Sequence, residues 1–200
     1  MSNSDLRRAS EPIIRFFESH EIRYHIGGSV SSSAHGVPRT TIDVDFVADL
    51  KVHHVPKMVD EMQGAYYIDS GMIENAIRSE SSFNLIHLET FIKLDVFVLK
   101  KSPYDQEVMA RSVNGVLSVD DLEPLQVKFS SPEDIVLHKL HWFRLGGEQS
   151  ERQWRDILGV LNVQHKTLDL SYMRSWARRI KVNDLFEQAL SEINHETNQN

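Results

Sequence analysis

Two spacings of apolar residues alternate along the first 130 positions of the chain. Period-two runs read as strands: Tyr24 to Ile26, Ile42 to Val47, the neighbours "FNLIHLE" and "FIKLDVFVL" joined by a turn around Thr90, and Leu125 to Phe129. Helical spacing fills the gaps. Ser10 and Pro12 open a short helix through Phe17, with Ile13, Phe16 and Phe17 on its buried side. Ser29 to His35 makes a second helix, ended by Gly36. Val55, Met58, Val59 and Met62 mark a third.

From Ser131 onward the spacing is helical throughout. In "SPED", Ser131 caps, Pro132 takes the first turn, and Glu133 and Asp134 suit the positive end of the dipole. That helix runs to Gly146-Gly147. Ser150 with Gln153 makes another capping box, followed by Trp154, Ile157, Leu158 and Leu161. Met173, Trp176, Ala177 and Ile180 form the next stripe, and Leu185, Phe186, Ala189, Leu190 and Ile193 the last. The expected fold class is α+β: a small mixed β-sheet flanked by helices in residues 1–130, then a C-terminal helical region in 131–200. The closing "HETNQN" reads as disordered.

Composition narrows the function. The 200 residues carry a formal charge of −7, which argues against a strongly basic nucleic-acid scaffold. The chain has no cysteine, so it has neither a disulfide framework nor a thiolate metal site. This suits a reducing cytosol, the expected compartment. "MSNSDLRRAS" lacks an apolar signal core, and no run reaches membrane-spanning length.

The candidate chemistry lies on two strands. Alternation sends Ile42, Val44 and Phe46 into a core and leaves Asp43 and Asp45 side by side on the other face. The later strand repeats the design, with Ile92, Leu94, Val96 and Val98 apolar and Asp95 opposite, beside Lys93. If the strands are neighbours, three carboxylates converge. Like charges about 4 Å apart repel by roughly 4 kcal/mol at an effective dielectric near 20, so such a cluster calls for cations. Hard oxygen ligands without cysteine suit Mg²⁺, with Mn²⁺ as an alternative. Upstream, Gly27 and Gly28 let backbone N–H groups approach a phosphate, and a helix beginning at Ser29 points its positive end at an anion. The turn is neither a Walker A loop nor a dinucleotide fingerprint.

"GGS" followed by "RTTIDVD" resembles the signature of the nucleotidyltransferase superfamily, with its DNA polymerase β-like fold. The likeness is strongest to small prokaryotic members, including toxin-type enzymes of abortive-infection and toxin–antitoxin systems. "SPEDIVLHKLHWFR…SERQWRDILGVL" is similar to the helices that follow the catalytic sheet in such proteins. The resemblance implies that Gly28 and Ser29 hold the terminal phosphates of an NTP and that Asp43 and Asp45 bind one or two Mg²⁺ ions. Asp95 would complete the metal site and help deprotonate an acceptor hydroxyl. Lys139 would steady the triphosphate, and Arg39 would contact phosphate or seat the loop. The acceptor is left open among tRNA or other RNA, protein and small molecules, and an antitoxin is the implied partner. Thirteen residues separate Ser29 from Asp43, more than in the minimal motif, so Ser31 and Ser32 are alternative phosphate hydroxyls. A non-catalytic nucleotide- or partner-binding protein on the same fold is the rival reading.

Overall fold

The structure, a computed structural model, describes residues 3–41, 43–117 and 123–197. In chain order its first elements are α1 (Asn3–Ser19), β1 (Tyr24–Ile26), α2 (Gly28–His35), β2 (Asp43–Ala48), α3 (Val55–Met62), β3 (Tyr66–Tyr67), α4 (Ser70–Ser79) and β4 (Ser82–His87). Next come β5 (Lys93–Val98), α5 (Pro103–Ala110), β6 (Val113–Leu117) and β7 (Leu125–Phe129). The chain then turns wholly helical, with α6 (Pro132–Leu145), α7 (Glu151–Gln164), α8 (Leu170–Arg179) and α9 (Asn183–Thr197). It divides into two compact units, residues 1–27 with 41–129, and residues 28–40 with 130–200.

The first unit holds the sheet, whose order is β3-β4-β5-β2-β1-β7-β6. It is mixed: β2 runs parallel to β5 and β1 to β7, while β1–β2, β3–β4, β4–β5 and β6–β7 are antiparallel. Alternation sets the core. Val44, Phe46, Leu94 and Val96 are fully buried, while Asp43, Asp45 and Asp95 lie half-buried on the other face. A one-residue slip would drive those acids into the core, so the apolar residues also fix the acids' register. The expected mixed sheet and helical C-terminal region are therefore present. Ile42, expected to begin β2, lies outside the described residues.

The first helix is longer than the reading from Ser10 and Pro12. It starts at Asn3 and carries Pro12 inside. Ala9, Ile13, Phe16 and Phe17 form one buried stripe through that point. Burying this face outweighs the single backbone hydrogen bond that proline forfeits. Ser10 is an interior residue, its hydroxyl donating to the Leu6 carbonyl at 2.8 Å. At the other end His195, Glu196 and Thr197 continue α9 instead of being disordered, and residues 198–200 lie outside the described ones.

In the second unit, α2 packs on α6 and α7. The approach to α7 is backbone to backbone: a Cβ on Gly36 would stand 2.8 Å from the Val160 nitrogen and 2.9 Å from the Gly159 carbonyl carbon. Leu137, Leu140, Ile157, Val160, Leu161, Met173, Ala177 and Phe186 fill this unit's interior. The "SPED" cap is buried as well. Ser131 Oγ accepts from the Asp134 amide at 3.1 Å and donates to its carboxylate at 2.7 Å, and the Tyr172 hydroxyl donates to the other carboxylate oxygen at 2.6 Å.

Candidate functional site

β2 and β5 are adjacent, parallel and in a register that pairs Asp45 with Asp95 and Asp43 with Lys93. Neighbouring strands lie about 4.8 Å apart, so the two paired acids stand one strand spacing from each other, with Asp43 one pleat along. Thr41 steadies Asp43, its hydroxyl donating to Oδ1 at 3.0 Å. On the far side of β5, Asn84 of β4 pairs with Asp95 and puts an uncharged amide beside it. The Gly27 amide donates to the Asp45 carbonyl at 2.8 Å, which ties the glycine turn to β2.

Backbone register thus gathers the three acids on one face. The side chains are arranged differently. Lys93 Nζ lies 2.7 Å from Asp95 Oδ2. The hydrogen bond to Asp95 raises the Lys93 ammonium above its ordinary value; burial opposes this, and the charges of Asp95, Asp43 and Asp45 add to the rise. Among the described residues no group of three or more His, Asp or Glu side chains stands ready to share a metal ion. The donor chemistry suits a hard divalent cation, and the third carboxylate is turned onto a lysine.

The second unit carries the other sequence-predicted residues. Gly28 opens α2 with φ 53°, a left-handed value that glycine takes without steric cost. Ser29 is buried, and its hydroxyl accepts from Arg39 Nη2. Arg39 also grips Asp156 with two parallel bonds, Nε to Oδ1 and Nη2 to Oδ2, each 2.8 Å. Lys139 Nζ reaches the same carboxylate at 2.8 Å. Burial pushes the Asp156 carboxyl up, but the hydrogen bonds and charges of Arg39 and Lys139 outweigh it and hold the group below the usual range. Two cations thus share one anion beside a hydroxyl. The alternative hydroxyls are spent on backbone: Ser31 donates to the Ser130 carbonyl at 3.4 Å and Ser32 to the Ser29 carbonyl at 3.1 Å.

No family model and no curated protein matches the chain. Solved structures do. An antigenic nucleotidyltransferase-like protein from Paracoccidioides brasiliensis is 17% identical, with a TM-score of 0.58 over 96% of this chain and 94% of that one. The antibiotic-resistance factor ANT(2'')-Ia is 12% identical, with a TM-score of 0.56 over 99% of this chain and 100% of its own. The chain has the nucleotidyltransferase fold.

Within this nucleotidyltransferase fold, the sequence reading did not assign a site role to Asp156. Its only signal was an acid inside the Trp- and Arg-rich "WFRLGGEQSERQWRDIL" segment, which reads first as helix packing with Asp156 paired to some cation. Two of the basic residues on α8 have ordinary partners: Arg174 bonds Glu187 at 2.9 Å, and Arg179 lies 4.8 Å over the Trp176 ring. His35 near the glycine turn bonds the Ser130 carbonyl at 2.7 Å, and burial holds its pKa below the ordinary value despite that bond. No described helix is long and apolar enough to cross a membrane.

Proposed function

We propose that the chain is a metal-dependent nucleotidyltransferase, moving a nucleoside monophosphate from an NTP to a hydroxyl acceptor. The acceptor oxygen attacks the α-phosphorus, the bond to the α–β bridging oxygen breaks, and pyrophosphate leaves. Asp43, Asp45 and Asp95 hold Mg²⁺, or Mn²⁺ in its place, and Asp95 takes the proton of the attacking hydroxyl. The bound ion supplies charge stabilisation to the attacking and leaving oxygens. Gly27 and Gly28 give phosphate close access to backbone, and Ser29, Arg39 and Lys139 bind it as hydroxyl and cations. Asp156 keeps the two cations in place. The acceptor is an RNA, a protein or a small molecule. The likeness to an antibiotic-resistance factor adds weight to the last of these.

The observation that carries this reading is the parallel pairing of Asp45 with Asp95, Asp43 one pleat away, on a sheet of this fold. Calorimetry tests it. NTP binding is expected to require Mg²⁺ and to lose that requirement, with at least about a tenfold loss of affinity, in Asp43→Asn/Asp45→Asn. Unchanged affinity and metal dependence would remove the metal assignment. Incubation with each α-³²P-labelled NTP and cell extract should label one acceptor class. The Lys93–Asp95 ion pair favours a second reading, a nucleotide- or partner-binding protein such as a toxin–antitoxin component. Tight NTP binding with no label transferred to any acceptor selects it.

A further inference from the structure

Lys93 is a strange neighbour for a set of metal-binding carboxylates. It stands two residues before Asp95 on the same face of β5 and is in register with Asp43 on β2. Its ammonium sits 2.7 Å from Asp95 Oδ2, and among the described residues Asp95 is its only ion-pair partner. The side chain is 49% exposed, so nothing about the core requires a lysine there. Asp43, Asp45 and Asp95 share one face of adjacent strands, and like charges so placed favour a positive charge beside them.

We infer that Lys93 is the built-in cation of this face: its ammonium holds Asp95 in the metal-free chain, and a divalent ion gains that carboxylate only by displacing it. The inference rests on the metal role proposed above for Asp43, Asp45 and Asp95. A carboxylate bonded to an ammonium has one oxygen engaged, and an ammonium fixed beside an incoming divalent ion repels it. The pairing also supplies a reason why the three acids share a register without standing as a three-ligand group. Once released, the long lysine stem can carry its charge into solvent. Lys93 therefore weakens metal binding relative to what the carboxylates alone would give. It also preserves the acidic face when metal is scarce.

The test is Mn²⁺ binding to the full chain without nucleotide, followed by the electron paramagnetic resonance of the free ion, with Mg²⁺ calorimetry in parallel. Lys93→Gln keeps a polar, half-exposed side chain and removes the charge; Lys93→Arg keeps the charge. Lys93→Gln is expected to bind Mn²⁺ at least about tenfold more tightly than the native chain. Lys93→Arg should bind like the native chain, and adding Asp95→Asn to Lys93→Gln should abolish the gain. Equal or weaker binding by Lys93→Gln, or a gain that survives Asp95→Asn, overturns the inference and leaves the metal role standing. If neither the native chain nor Lys93→Gln binds either ion, the inference and the metal role fall together.

Discussion

Asp156 accepts from Arg39 and Lys139 at once, with its own side chain only 8% exposed. Removing the anion of such a buried set takes from Arg39 and Lys139 the carboxylate that they share, which costs about 3 kcal/mol. Asp156→Asn, which keeps the shape and loses the charge, is expected to lower the urea-unfolding free energy by about that amount at neutral pH. The sign with pH follows from its depressed pKa. The Asp156 contribution is full above the ordinary carboxylate range and is lost as pH falls through the folded-state value. The gap between native and variant chains should therefore narrow steadily in urea titrations as pH is lowered below the ordinary carboxylate range. A gap that persists in acid would show that the pair is not its source. The sequence shows these residues very unevenly. Lys93 is visible as a partner because it stands two positions from Asp95. Arg39 and Asp156 are 117 positions apart, and only folding can say which cation an acid in α7 meets.

Among elements, those with strong periodicity were legible. β2 and β5 carry full alternation, and α6 announces itself by its cap; all three occur as expected. The short elements were not. α5 buries only Val108 and Met109, and no residue of β6 is fully buried, so neither leaves a periodic signal. Nor could pattern alone give strand neighbours. The antiparallel β4–β5 pair follows from a short turn, whereas the parallel β2–β5 pair is made across about 50 intervening residues and depends on the whole sheet. The α6 cap carries a prediction of its own. Ser131→Ala removes both bonds to Asp134 and leaves a buried carboxylate one donor short. It should cost about 1–2 kcal/mol in chemical denaturation, and Ser131→Thr should restore most of it. A neutral Ser131→Ala would mean that Asp134 is satisfied without the Ser131 hydroxyl.

At the scale of the molecule, the sequence order and the grouping in space part company. Residues 28–40 belong with the C-terminal helices, although the chain enters them from β1 and leaves them into β2. A linear reading that divides the chain at residue 130 has no means of seeing this, because what unites α2 with α7 is close approach and not a shared pattern. The fold itself was legible through a short motif, and it holds at 17% identity because alternation and burial, more than particular residues, specify the sheet. The net charge of −7 coexists with two cations, Arg39 and Lys139, gathered on Asp156 beside the Ser29 hydroxyl. Bulk charge therefore says little about local anion affinity.

The glycine contact between α2 and α7 bears on which positions can vary. A methyl group at Gly36 has nowhere to go, because the atoms that it would strike belong to main chain and cannot rotate aside. Gly36→Ala should cost about 1–3 kcal/mol and loosen NTP binding by shifting the helix that carries Ser29, although it alters no polar atom. At Gly27 a Cβ would meet nothing within 4 Å, and Gly27→Ala should be the milder change in chemical denaturation. In a library randomised at both codons and selected for folding alone, substitutions would accumulate at the glycine within the conspicuous motif. The inconspicuous one, eight residues beyond Gly28, would return unchanged.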